Sequence, residues 1–168
     1  MYESQVITMI LSEELKNKGF SLCMVSTSDF EDYLNVKRSC YRKYVDEYYG
    51  GWVENFQIKM NNDRFRKTLK ISCFQKILLD GSIVGFWGYD EMEDKINSTS
   101  IQLIEKAQNK GLGSFFLKEL VSLSDRTNKP VFLRVFRSNP AQNLYKRFGF
   151  IIYDEISSHF LMRYDPVA

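Results

Sequence analysis

Apolar positions along this chain follow two rhythms. Between residues 30 and 48, Tyr33, Val36, Cys40, Tyr44 and Tyr48 recur three or four residues apart, the period of a helix with one buried face. Asp29 stands in front of that run as a cap, and Gly50-Gly51 ends it. A second helix is expected over 52–62, and a short amphipathic one over 3–18, closed by Gly19. Residues 112–126 place Phe115, Phe116, Leu120 and Leu123 on one side of a further helix. Pro140 to Arg147 begins on a proline and stops before Gly149, the punctuation of a short helix.

The second rhythm belongs to strands. Phe20 to Thr27 alternates loosely and is rich in strand formers. Phe74 to Leu79 and Ser82 to Tyr89 flank Asp80-Gly81, a two-residue hairpin signal. Ser98 to Ile104, Val131 to Phe136, Phe150 to Tyr153 and Phe160 to Tyr164 complete the set. From residue 20 onward the order is β-α-α-β-β-β-α-β-α-β-β, an α+β layout built on a mixed sheet. No repeat, low-complexity tract or linker divides the 168 residues, so a single domain is expected.

Composition narrows the function classes. With 23 basic against 21 acidic residues the net charge is +2, too balanced to argue for nucleic acid or an anionic membrane. Aromatics reach 15%, including 13 Phe and 10 Tyr, which predicts a bulky core and an aromatic-walled pocket. Cys23, Cys40 and Cys73 form no CxxC pair and read as reduced, buried thiols. One histidine and scattered cysteines make no metal site. Glu3 precedes a short apolar run, Val6 to Leu11, unlike a secretory signal, and no window approaches membrane-spanning length. The expectation is a soluble, cytoplasmic protein.

The first chemical signal is Gln108-Asn109-Lys110-Gly111-Leu112-Gly113-Ser114, between a predicted strand and a predicted helix. Two glycines let the backbone turn tightly and approach a ligand. Free N–H groups of the helix's first turn then converge, with the positive end of the helix dipole behind them. That arrangement suits a pyrophosphate, with Lys110 adding a charge and Ser114 a hydroxyl. A glycine turn without a ligand is the plain alternative. The segment lacks the GK[ST] ending of a P-loop and is not a clean GxGxxG loop.

The second signal is Asn139-Pro140-Ala141-Gln142-Asn143-Leu144-Tyr145-Lys146-Arg147-Phe148-Gly149-Phe150. Together the two segments resemble the GNAT superfamily of N-acetyltransferases, with its Q/R-x-x-G-x-G/A loop followed by N-x-A-x-x-L-Y-x-x-x-G-F. The resemblance covers roughly residues 20–164, with strong motifs in 98–150. It implies a mostly antiparallel central sheet with two splayed parallel strands, flanked by helices. It also implies an acceptor side over 20–97, an acetyl-CoA side over 98–164, and residues 1–19 as an N-terminal extension.

The same resemblance assigns roles. The backbone of Leu103 and Ile104 would pair with the pantetheine arm of acetyl-CoA, beside a bulge that splays the parallel strands. Gln108, Asn109, Lys110, Gly111, Leu112, Gly113 and Ser114 would hold the pyrophosphate. Asn139 would hydrogen-bond the pantetheine, with Asn143 beside it on the same cofactor wall. Tyr145 would be the general acid for the departing thiolate; without the motif it would read as a core aromatic beside Phe148 and Phe150. The chemistry agrees, since amine attack on a thioester expels a thiolate that a hydroxyl donor stabilises. Glu105-Lys106-Ala107 replaces the family's usual proline after the pantetheine strand. Late strands often mediate dimers in the family, which raises a homodimer as an expectation.

Gly51-Trp52-Val53-Glu54-Asn55-Phe56-Gln57 resembles a G-W-D-E-x-F-Q segment of one GNAT subgroup, with Val53 in place of Asp. Tyr44, Tyr48, Tyr49, Trp52 and Phe56 are candidates to wall an acceptor pocket, with Asp46, Glu47 and Glu54 as its acids. Carboxylates beside aromatics suit a cationic amine. Taken one at a time, these side chains read first as core aromatics and a solvated acidic face. Tyr48, Trp52 and Glu54 are the substrate-binding candidates. No general base is evident: the strand Ser98 to Ile104 has no acid, and Glu91, Glu93 and Asp94 lie on the loop before it. His159 has a suitable intrinsic pKa, although a lone histidine is more often structural.

The leading expectation is direct acetyl transfer from acetyl-CoA to a primary amine, with a small-amine acceptor and neither nucleic acid, membrane nor metal as partner. Two others stay open: an acyl-CoA-binding regulatory module without catalysis, and an acetyltransferase acting on a protein N-terminus or lysine.

Overall fold

In a computed structural model, residues 10–167 are described. The element order is α1 (Glu13–Asn17), β1 (Phe20–Met24), α2 (Phe30–Tyr49), α3 (Glu54–Thr68), β2 (Cys73–Leu79), β3 (Ser82–Glu91), β4 (Ile96–Leu103), α4 (Leu112–Thr127), β5 (Val131–Phe136), α5 (Ala141–Arg147), β6 (Ile151–Glu155) and β7 (His159–Tyr164). The first part of the helix expected over 3–18 lies outside the described residues, and α1 starts only at Glu13, where the Ser12 hydroxyl accepts the Leu15 N–H. Among the described residues, no helix is long and apolar enough to cross a membrane.

Seven strands form one sheet in the order β1-β2-β3-β4-β5-β7-β6. Every neighbouring pair is antiparallel except β4 and β5. The β2–β3 hairpin turns on Asp80 and Gly81, both with positive φ (49° and 85°), the geometry that the Asp-Gly pair predicts. The mixed α+β class and the single parallel pair therefore stand as read from the sequence.

The sheet buries both faces. Against one lies α4, whose Phe116 stacks on Trp87 with centroids 4.5 Å apart and an interplanar angle of 13°. Ile77, Ile96, Leu117, Leu120 and Val131 surround that pair with no exposed surface. Truncating Phe116 to Ala there would cost about 3–5 kcal/mol. Against the other face lie α2 and α3, joined through Tyr33, Phe65, Phe74 and Phe86. Tyr33 meets Phe86 edge-on at 5.4 Å and Phe65 at 5.0 Å.

Several local readings change. Asp29 does not cap α2: its carboxylate accepts the Ser26 N–H at 2.8 Å and pairs with Lys76 at 3.0 Å, tying a 3-10 turn at Thr27–Asp29 to β2. Helix α3 runs on to Thr68, six residues past the expected end, because Phe65 anchors its last turns to the α2 core. Cys23 is exposed, since β1 is an edge strand with one face open, whereas Cys73 is buried. The late edge strand β6 leaves Ile151, Ile152 and Tyr153 exposed.

Candidate functional site

β4 and β5 pair only at their first residues, Ile96 with Val131 and Asn97 with Phe132, and then separate. Among the described residues no strand fills the gap, and a cleft of about 1840 Å³ opens there. Its walls include β4, β5, β7, α2, α3, the start of α4, and α5. The register slip that accompanies the splay lies at Thr99, which finds no partner on β3, rather than at Leu103–Ile104 as expected.

The end of β4 offers backbone to the cleft. Ile104 N–H donates to Val84 O at 2.9 Å, toward β3. Alternation along an antiparallel pair then turns the N–H and C=O of Leu103 toward the opening. The Leu103 carbonyl accepts from Gln108 Nε2 at 2.8 Å and Cys40 Sγ at 3.3 Å. The Leu103 backbone thus faces the opening, whereas the Ile104 N–H is bonded to β3. Gln108 acts as the brace that fixes the glycine loop to the strand.

The loop itself reaches α4 through Gly111, which takes φ +96° as the residue before the helix. A side chain there would strain the backbone. Gly113 is small for a different reason: a Cβ would lie 3.1 Å from Leu144 Cδ2 of α5. Leu112 is buried and anchors the turn, while Gly113 and Ser114 line the cleft with Asn109. No side chain caps α4 and no acid stands in its first turn, so the N–H groups of Leu112, Gly113 and Ser114 keep their positive field. Lys110 does not line the cleft; its carbonyl accepts from Lys18 Nζ at 3.1 Å, which clips α1 to the loop.

From the far side α5 supplies Asn143 and Tyr145, and the turn before it supplies Asn139. The Asn139 Oδ1 accepts the Ala141 N–H at 2.9 Å in front of the first turn of α5. Tyr145 is half-buried. Burial pushes its hydroxyl up to about 12, so it keeps its proton at neutral pH. Tyr41 faces it from α2, also held above the ordinary tyrosine range, first by burial and then by the Tyr145 hydroxyl.

The acceptor wall departs most from expectation. Trp52 lines the cleft, but Tyr48 and Glu54 do not. Tyr48 stacks on Phe136 at 5.8 Å as part of the wall's backing. Glu54 is exposed and bonded to Arg38 and to Trp52 Nε1. Asp46 accepts the Trp52 N–H at 2.8 Å, and Glu47 accepts from the Ser138 hydroxyl at 2.8 Å. Each expected acid thus already has a hydrogen-bond partner, and none of the three lines the cleft. His159 does line it, with its ring 4.1 Å from Phe136 and Nδ1 2.7 Å from the Ser158 hydroxyl, which in turn meets Tyr49 OH at 2.8 Å. Burial, and then Arg134 and Arg64, push His159 down to about 4, so its imidazole is neutral at physiological pH.

Sequence reasoning missed Lys37, which is only 7% exposed and lines the cleft between Tyr33 and Tyr41, 5.3 and 5.1 Å from their ring centroids. Burial first, and Arg64 second, push its ammonium down to about 7. The signal was present: positions 33, 37 and 41 are spaced i, i+4, i+8 on α2, so a lysine stands inside the buried stripe. Among the described residues no cluster of three or more metal-ligating side chains occurs.

Comparison with known proteins places this architecture. The chain is similar to a PaiA N-acetyltransferase from Thermoplasma acidophilum solved with coenzyme A, at 19% identity and a TM-score of 0.66, over 87% of this chain and 98% of that one. It is similar to the ribosomal-protein alanine N-acetyltransferase of Escherichia coli, at 16% identity and a TM-score of 0.62, over 89% and 96% of the two chains. It is also similar to the N-acetyltransferase PseH of Campylobacter jejuni, at 16% identity and a TM-score of 0.54, over 89% and 99%. Among curated protein sequences, none matches this chain. The profile described as the acetyltransferase (GNAT) family matches residues 37–150, more than half of the sequence. The chain belongs to the GNAT acetyltransferase family.

Proposed function

We propose that this protein transfers the acetyl group of acetyl-CoA to a primary amine within a ternary complex. The observation that carries the reading is the convergence in one cleft of uncapped α4 amides, the inward-facing Leu103 backbone and the protonated Tyr145 hydroxyl. The amides suit a pyrophosphate, the strand edge suits an amide-bearing pantetheine arm, and the hydroxyl suits a thiolate. The gap between β4 and β5 is where an extended arm would lie as an added strand.

In this reading the amine attacks the thioester carbonyl carbon, forming the C–N bond. The C–S bond then breaks and the sulfur takes the Tyr145 proton. The attacking nitrogen sheds its own proton to water, because no Asp or Glu among the described residues lines the cleft. No covalent enzyme intermediate is required. The carboxylate-free lining also suits a module that binds acyl-CoA without transfer.

Thiol release from acetyl-CoA in the presence of an amine panel separates the two. Amine-dependent thiol release supports transfer; tight acetyl-CoA binding with no thiol release from any amine leaves only the binding module.

A further inference from the structure

Six cationic side chains line the cleft: Lys37, Lys43, Arg64, Lys95, Arg134 and Arg147. Among the described residues not one carboxylate lines it. Among the described residues none of the six takes part in an ion pair; the pairs there join other residues. In a chain with a net charge of only +2, this is a segregation of charge and not a general excess.

The position of these cations separates them from the phosphate-binding end. Arg147 lies on α5 with the cofactor wall. Lys37 and Lys43 lie on α2 and Arg64 on α3, across the sheet from α4. Arg134 lies on β5 and pairs across to Leu161 of β7, two residues from His159. The Arg64 guanidinium reaches both Lys37 and His159 electrostatically, and Arg134 reaches His159, so these groups share one region.

Lys37 is the informative member. Its ammonium faces two aromatic rings, with no hydrogen-bond or ion-pair partner among the described residues. Ring contacts return less than the cost of removing an ammonium from water. A buried lysine of this kind is a half-made interaction, and an anion entering the cleft would complete it.

We infer that the acceptor carries, besides its amine, an anionic group (a carboxylate or a phosphate ester) seated against Lys37, Arg64 and Arg134. This rests on the acetyl-transfer reading and names its substrate class. The cationic amine suggested by Asp46, Glu47 and Glu54 is replaced by an amine whose other end is negative. The anion anchors the far end, the aromatic wall holds the stem, and the amine points toward Tyr145. Polyamines are repelled by the same wall.

The test is calorimetric titration of the full chain, saturated with CoA, by four small amines of similar length: O-phosphoethanolamine, β-alanine, ethanolamine and 1,3-diaminopropane. Saturating CoA occupies the α4 site, so added anions report on the acceptor wall. The expected result is that the phosphate or the carboxylate amine binds at least about tenfold more tightly than ethanolamine, with the diamine weakest. Which of the two anions leads identifies the source. Lys37→Met and Arg64→Gln should each erase most of that preference, and Lys37→Arg should keep it. Equal binding of ethanolamine and the anions, tighter binding of the diamine, or no binding of any amine to the CoA-saturated protein overturns the inference. If CoA itself fails to bind, the acetyl-transfer reading falls with it; if CoA binds and the anions show no advantage, this inference alone falls.

Discussion

The two walls of the cleft are both electropositive, but they are built from different material. On the α4 side the positive field comes from backbone: uncapped amides of Leu112, Gly113 and Ser114, with two glycines clearing space. On the α2–α3 side it comes from side chains, with Lys37 buried between two tyrosines and within electrostatic reach of Arg64. Backbone amides cannot titrate and cost nothing extra to orient once the helix is folded. A buried lysine can titrate, costs stability, and can be changed by one substitution. In the proposed reaction the constant half is thus met by the rigid wall and the selective half by the adjustable one.

The largest expected effect lies where the walls meet. Tyr145→Phe should lower turnover by about 10²-fold or more while leaving the acetyl-CoA dissociation constant within about twofold. Thiol release and calorimetry measure the two quantities. Equal turnover in the variant would remove the acid role.

A smaller effect separates the walls by stability. The Lys37 ammonium titrates near 7 in the folded chain against an ordinary 10.5. Between those values the unfolded chain holds a proton that the folded chain has lost. This site's contribution to stability therefore rises with pH across that window and is lowest below 7. Lys37→Met should raise stability near pH 6.5 by on the order of 1–3 kcal/mol and flatten that slope, read by chemical denaturation at several pH values. Unchanged stability with an unchanged pH slope would mean that the ammonium is well solvated. The smallest effect is expected at Glu54, whose carboxylate lies outside the cleft. Glu54→Gln should leave kcat/KM within about twofold for whichever amine proves active. A large loss would return that carboxylate to the acceptor wall.

The same division explains what was legible in the sequence. The cofactor wall is local: Gln108 to Ser114 and Asn139 to Phe150 each form their geometry within a few residues, so spacing alone exposes them. The Asp80-Gly81 turn and the helix breaks at Gly50 and Gly149 are legible for the same reason. The acceptor wall is assembled from α2, α3, β5 and β7, and contributions such as Arg134 and His159 come from the half assigned to acetyl-CoA. Whether an acid faces the cleft depends on partners distant in the chain, such as Ser138 for Glu47. The slip at Thr99 left no trace because it reflects how β4 meets β3 and β5 together.

The most direct test is one calorimetric comparison: acetyl-CoA titrated into the wild-type chain and into Ser114→Glu. Ser114 lies in the first turn of α4 on the cleft surface, and it avoids the Leu144 contact that complicates any change at Gly113. An acid there complements the helix dipole and should hold or raise stability by about 0.3–1 kcal/mol. It also occupies the place of a phosphate. Saturable binding to the wild type is expected, with a loss of at least about tenfold in the variant at undiminished stability. No binding to the wild type, or equal binding to both proteins, would contradict it.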